Sequence, residues 1–197
     1  MRLLAVLSLA FLPSWFASQS RPDLYQCEGC EAIHEHSFDG LSWSTVIPPD
    51  GEPGERLILT GRVLKPDGRT PAAGVILYVH HTNTGGIYPT RGDEQGWGRR
   101  HGYLRGWVKT NAQGEYRFET IRPAPYPGRS DPAHIHVTVK EPDRREYWID
   151  DVVFDDGPLV NARYRSRVQS RGGSGIVRPI RDASGVWLVR RDIVLER

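Results

Sequence analysis

The sequence predicts an all-β fold, a β-sandwich of mixed and antiparallel strands with long loops at one end. Three observations point there. Short runs rich in β-branched and aromatic residues recur along the chain, each bounded by a turn signal. Glycine (21) and proline (15) are plentiful, and tryptophan (6) and tyrosine (8) each outnumber phenylalanine (5), which suits turn-rich sheets better than a helical bundle. Helical patterning is confined to one charged stretch, Pro158–Gln169.

With 197 residues, 38% of them hydrophobic, the chain is sized for one domain with its own core. A net charge of only +2 gives no electrostatic reason to expect nucleic acid as a partner. Residues 1–20 read as an export signal: Arg2 is the positive start, Leu3–Leu12 an apolar run broken only by Ser8, and Pro13 a stop before small residues at Ala17, Ser18 and Ser20. The run is short for a bilayer span, although an uncleaved anchor is the alternative. A secreted or periplasmic location is therefore expected, with no membrane contact once the signal is removed.

Residues 21–56 are expected to form an irregular arm, because Asp39-Gly40, Pro48-Pro49-Asp50-Gly51 and Pro53-Gly54 leave little room for regular structure. The arm carries Cys27 and Cys30. In an oxidising compartment this C-x-x-C favours a disulfide. A metal cluster with His34 and His36, or a redox motif, are the other readings.

The sandwich domain is placed at 57–197. Leu57–Leu64 is a strand, Lys65-Pro66-Asp67-Gly68 a turn and Gly74–His81 a second strand. Thr82–Gly102 is a loop long enough to be functional. Strands follow at Trp107–Thr110, Tyr116–Thr120, His134–Lys140 and Tyr147–Phe154. A terminal hairpin is expected from Gly175–Ile180 and Val186–Leu195, around Asp182-Ala183-Ser184-Gly185.

The chemistry-bearing residues cluster around His134-Ile135-His136. On a strand the side chains alternate faces, so both imidazoles point the same way and can grip one ion. Alone, an H-x-H is more often a solvated face. Tyr126 lies eight residues earlier between Pro125 and Pro127, whose rings limit the backbone. Tyr88 follows Gly85-Gly86, where the chain can bend sharply. Each tyrosine by itself reads equally as an aromatic packed over a loop.

Taken in order, these residues and their neighbours resemble a known family. The match runs through Gly61-Arg62-Val63, Asp67-Gly68 and Gly74, then Val79–Tyr88, Leu104-Arg105-Gly106, Thr110–Phe118, Thr120–Pro123, Tyr126-Pro127-Gly128 and Pro132–His136. This is similar to the intradiol ring-cleavage dioxygenases, particularly the protocatechuate dioxygenase type and its secreted relatives. The resemblance implies a non-haem iron(III) site with Tyr88 and Tyr126 as tyrosinate ligands and His134 and His136 as imidazole ligands. Hard phenolate donors favour iron(III) over iron(II). It also implies a small catecholic substrate, O2 as co-substrate, Tyr126 as a base for one substrate proton, and a cis,cis-muconate-type diacid as product. Assembly into a homo-oligomer stays open.

One position departs from the family. Asp131 stands where related enzymes often carry an arginine that steadies negative charge on the activated ring. Arg129 is expected to take over that role, with Arg122 and Arg105 as the next candidates. His80 and His81 replace the family's Trp-Gln pair, and alternation sends one of them inward. A transthyretin-like secreted binding module is the non-catalytic alternative, although such modules need no Tyr/Tyr/His/His set. Copper or zinc is the alternative filling of the same site.

Overall fold

The computed structural model describes residues 22–197, so the expected export signal at 1–20 lies outside the described residues. Eleven strands follow in order: β1 (Ser44–Val46), β2 (Arg56–Leu64), β3 (Ile76–His81), β4 (Arg105–Lys109), β5 (Glu115–Ile121), β6 (His134–Lys140), β7 (Tyr147–Phe154), β8 (Ile176–Val177), β9 (Ile180–Arg181), β10 (Trp187–Arg190) and β11 (Ile193–Val194). One sheet runs β1-β5-β2-β10-β9 with β11 also paired to β2, and the other runs β4-β3-β6-β7-β8. Parallel and antiparallel pairs are mixed, as expected.

Alternation fills the space between the sheets. Leu57, Leu59 and Val63 on β2 and Tyr116 and Phe118 on β5 meet Leu77 and Val79 on β3 and Ile135, Val137 and Val139 on β6. Burying each such side chain contributes about 1.5–3 kcal/mol. The opposite face of the second sheet is left with Ile76 and Tyr78 on β3 and with the histidines of β6. That face is not bare.

The arm covers it, and three short regular pieces punctuate its irregular course. Residues 21–56 contain two 3-10 helices, Pro22–Tyr25 and Cys30–Glu35, and the strand β1, which pairs in parallel with β5. Ala32 and Ile33 pack on Ile76 and Tyr78 as a second small core, flanked by Phe38, Leu41, Trp97 and Trp107. Turn formers set where the arm bends, while its few apolar residues decide where it docks.

Two expectations change. The charged stretch 158–169 holds a single helical turn, Ala162–Arg165, capped by the Asn161 side chain accepting from the Tyr164 N–H at 3.0 Å. The terminal hairpin is divided: β9 and β10 pair around the 182–185 turn, whereas β8 leaves to pair with β7 and β11 pairs with β2. Arg191 interrupts the last strand. It is 2% exposed, and its guanidinium donates to the Asp150 and Arg171 carbonyls. No helix among the described residues is long and apolar enough to cross a membrane.

Candidate metal centre

Strand β6 places the two histidines. Ile135, Val137 and Val139 enter the core, so His134 and His136 stand on the opposite face together. Strand β3 pairs with β6 in a register that sets His80 opposite His136. His81 therefore points the other way, into the sandwich, where it bonds the Thr82 carbonyl (2.8 Å) and the Thr120 hydroxyl (2.7 Å).

The tyrosines arrive on two loops that dock on each other. Gly86 has φ +74°, and a Cβ there would lie 2.1 Å from the Pro125 carbonyl oxygen, so only glycine lets the Tyr88 loop approach the Pro125-Tyr126-Pro127 turn. The Ala124 N–H donates to the Asn83 carbonyl (3.1 Å) and the Thr82 hydroxyl donates to the Ala124 carbonyl (2.7 Å), joining the two loops.

The result brings all four expected residues together. The Tyr88 and Tyr126 hydroxyls share a short hydrogen bond. His136 Nε2 lies 2.8 Å from the Tyr88 oxygen and 3.2 Å from that of Tyr126. His134 Nε2 lies 3.2 Å from the Tyr126 oxygen and 3.1 Å from His136 Nε2. An ion with bonds of about 2.1 Å needs adjacent donors about 3 Å apart, which is the spacing these four atoms already have.

The imidazole tautomers suit such an ion. His134 Nδ1–H donates to the Pro132 carbonyl at 2.7 Å, and His136 Nδ1–H donates to the Asp151 carboxylate at 2.9 Å. Both Nε2 atoms are thereby left as acceptors turned toward the phenols. His134, His136 and Asp151 could be read by themselves as a two-histidine, one-carboxylate set. The geometry decides against that: Asp151 holds the far nitrogen of His136 rather than facing the common centre.

Asp151 is a residue the sequence reading missed. Pairing between β6 and β7 shifts register between Ile135 and Val137, so Asp150 and Asp151 together face the His136 position. This bulge re-aims Asp151 toward the site. The signal was present in Tyr147–Phe154, where 147 and 149 point inward and then 152 and 154, an odd step that only an extra residue allows.

Electrostatics complete the fit. Burial, followed by the bond to Tyr126, pushes the Tyr88 phenol well above its usual value, and burial raises Tyr126 too. Burial lowers His134. Burial also opposes charge on His136, but Asp151 outweighs it and raises that imidazole, while His136 in turn holds Asp151 low. Two phenols that resist ionising beside each other are a set that a bound cation converts to phenolates.

Arg129 and Asp131 flank the centre on different sides. Arg129 lines an open cleft of about 630 Å³ with Ile87, Tyr88, Arg100, Tyr126 and Pro127, and its charge favours the Tyr126 phenolate. Asp131 lines a smaller cavity of about 220 Å³ with Tyr126, His134, His136, Asp151 and Tyr164. The other two arginines are engaged elsewhere: Arg105 pairs with Glu35, and Arg122 pairs with Asp156 and covers Trp187. Arg100, Ile87 and Tyr164 had not been singled out from sequence, since tertiary packing of the helical turns Gly98–His101 and Ala162–Arg165 and of the Tyr88 loop brings them to the centre.

Cys27 and Cys30 form a disulfide. The alternative cluster with His34 and His36 does not assemble, because His34 pairs with Glu146 and His36 bonds the Ser37 carbonyl and packs on Trp107.

Comparison with known proteins agrees with this architecture. A family model described as Dioxygenase matches residues 42–171. The protocatechuate 3,4-dioxygenase beta chain of Burkholderia cepacia is 36% identical over 97 residues, covering 46% of this chain and 41% of that protein. Catechol 1,2-dioxygenase 1 of Acinetobacter lwoffii is 33% identical over 140 residues, covering 60% and 43%. The chain thus spans less than half the length of these two relatives. Among solved structures, the dioxygenase domain of a dioxygenase carbohydrate-binding protein fusion from Streptomyces sp. SirexAA-E superimposes with TM-score 0.59 at 27% identity, covering 77% of this chain and 86% of that one. With the family match extending over most of the sandwich and the site, the chain belongs to the intradiol ring-cleavage dioxygenase family.

Proposed function

We propose that the protein is a secreted non-haem iron(III) dioxygenase that opens catechol-type rings between the two hydroxylated carbons with O2, giving cis,cis-muconate-type products. The observation that carries this reading is the convergence on His136 Nε2, which lies 2.8 Å from the Tyr88 oxygen, 3.2 Å from the Tyr126 oxygen and 3.1 Å from His134 Nε2. Those four residues would hold the metal, and iron(III) there would supply a Lewis acid toward the diol oxygens.

The chain's own groups do the rest. Tyr126, which lines the open cleft, serves as base for one diol proton. Ile87, 56% exposed at the cleft wall, offers an apolar surface to the ring. The Arg129 guanidinium, exposed in the cleft, supplies a cation near the anionic ring. The disulfide accords with an oxidising compartment, as the expected export signal requires.

The test is incubation with catechol and with 3,4-dihydroxybenzoate under air, following O2 uptake and the ultraviolet absorption of the product. One O2 consumed per diol with a muconate-type product is expected from one of them or from a substituted catechol. Tight binding without O2 uptake across a panel of catechols would instead identify a binding module.

A further inference from the structure

We propose that His80 is a positioning residue for His136: its ring, packed on both faces, sets the plane in which His136 presents Nε2. The proposal rests on reading His136 as a metal ligand.

The hydrogen bond from His136 Nδ1–H to Asp151 fixes where one edge of the imidazole points. A single bond of that kind leaves the ring able to rock about the bond axis, which would swing Nε2 out of line. A flat contact against the ring face removes that freedom. His80 provides one, with centroids 4.5 Å apart and planes 23° from parallel. His134 meets His136 at 82°, edge to face, and cannot serve the same purpose.

His80 is itself clamped. On its other side His101 stacks at 3.8 Å with an interplanar angle of 7°. His101 shares a 2.8 Å hydrogen bond with the fully buried Tyr78 hydroxyl and packs on Trp97. The arm closes the far end. Gly29, between the two bridged cysteines, has φ +89°, and a Cβ there would lie 3.0 Å from His101 Nε2. His80 Nδ1, by contrast, is buried with no hydrogen-bond partner among the described residues. Its place is set by its faces rather than by that nitrogen. Stacked rings of this kind prefer defined offsets and resist sliding.

The experiment uses ferric holoprotein challenged with excess iron(III) chelator, the decay of visible absorption giving the release rate. His80→Ala should release iron roughly ten- to a hundredfold faster, the scale set by removing partners of metal ligands. His80→Phe, which keeps a flat ring between His136 and His101, should stay near the wild-type rate. A wild-type rate in His80→Ala, or an alanine-like rate in His80→Phe, overturns the proposal. Melting temperatures separate positioning from general support: the rise on metal binding should shrink in His80→Ala while the metal-free protein melts nearly unchanged. Equal losses in both forms overturn it. Should His80→Ala not fold, His101→Ala, which frees the outer face of His80, should also speed release, and an unchanged rate counts against the proposal. If the wild type takes up no iron(III), the functional reading fails by itself. Zinc binding to the metal-free protein then carries the same comparison, since zinc needs only these nitrogen and oxygen donors.

Discussion

Tyr88 and Tyr126 are held at hydrogen-bonding distance from each other and from two imidazoles whose outer nitrogens are occupied. Because both phenols must lose a proton to act as ligands, metal affinity should rise with pH, which equilibrium dialysis would show. Arg129 gives a sharper expectation. Arg129→Leu should leave iron content unchanged but lower turnover about a hundredfold, the usual scale for one preorganised charge-stabilising group. Asp131→Ala should be far milder, and steady-state kinetics on the best catechol decides between them. At this scale the four residues that converge were legible through the family resemblance, since the H-x-H alone reads as a solvated face and each tyrosine alone as loop packing. Asp151 was not, because its direction depends on a bulge that reverses the alternation of β7. Nor was Arg100, which reaches the cleft from the short helical turn Gly98–His101 by tertiary packing.

The elements show why the centre is rigid. Two loops from different strands meet at Gly86, and the bulge carrying Asp151 is held by Arg191, buried against the Asp150 carbonyl. Gly86→Ala should force the loops apart. The left-handed backbone alone costs about 1–2 kcal/mol for a residue with a Cβ, and the contact with the Pro125 oxygen adds to it. Lower iron content and a lower melting temperature are expected together, whereas wild-type values in both would refute the docking role. Most strands could be read from alternation and turn residues, including β2, β3, β5, β6 and β7. Beyond β7 only the turn at 182–185 could be read. Arg191 looks like a surface arginine in sequence, yet its burial splits the expected final strand into β10 and β11, which pair with β2 along different stretches.

In the whole molecule, the sandwich and the arm are interdependent. The arm covers the outer face of the sheet that bears the histidines, and the disulfide ties its turn beside that face. Closing so short a loop contributes about 2 kcal/mol, so a reductant should lower denaturation stability by about that amount. Folding also buries a neutral His81, whose pKa burial brings down to about 4 from 6.5. The stability tied to that group is fully present above about pH 6.5 and is lost as pH falls toward 4, by up to about 3 kcal/mol. Urea midpoints should drop across that window, and His81→Gln should flatten the drop. Turn-rich composition in residues 21–56 gave no sign of this packing, because a handful of apolar residues suffices to dock an otherwise irregular segment. The central claim concerns what the assembled centre holds, and iron content measured with the visible spectrum tests it most directly. About one iron per chain is expected, with a phenolate-to-iron(III) absorption that Tyr88→Phe and Tyr126→Phe each weaken or abolish. A colourless metal-replete wild type, or full colour in both variants, would contradict it.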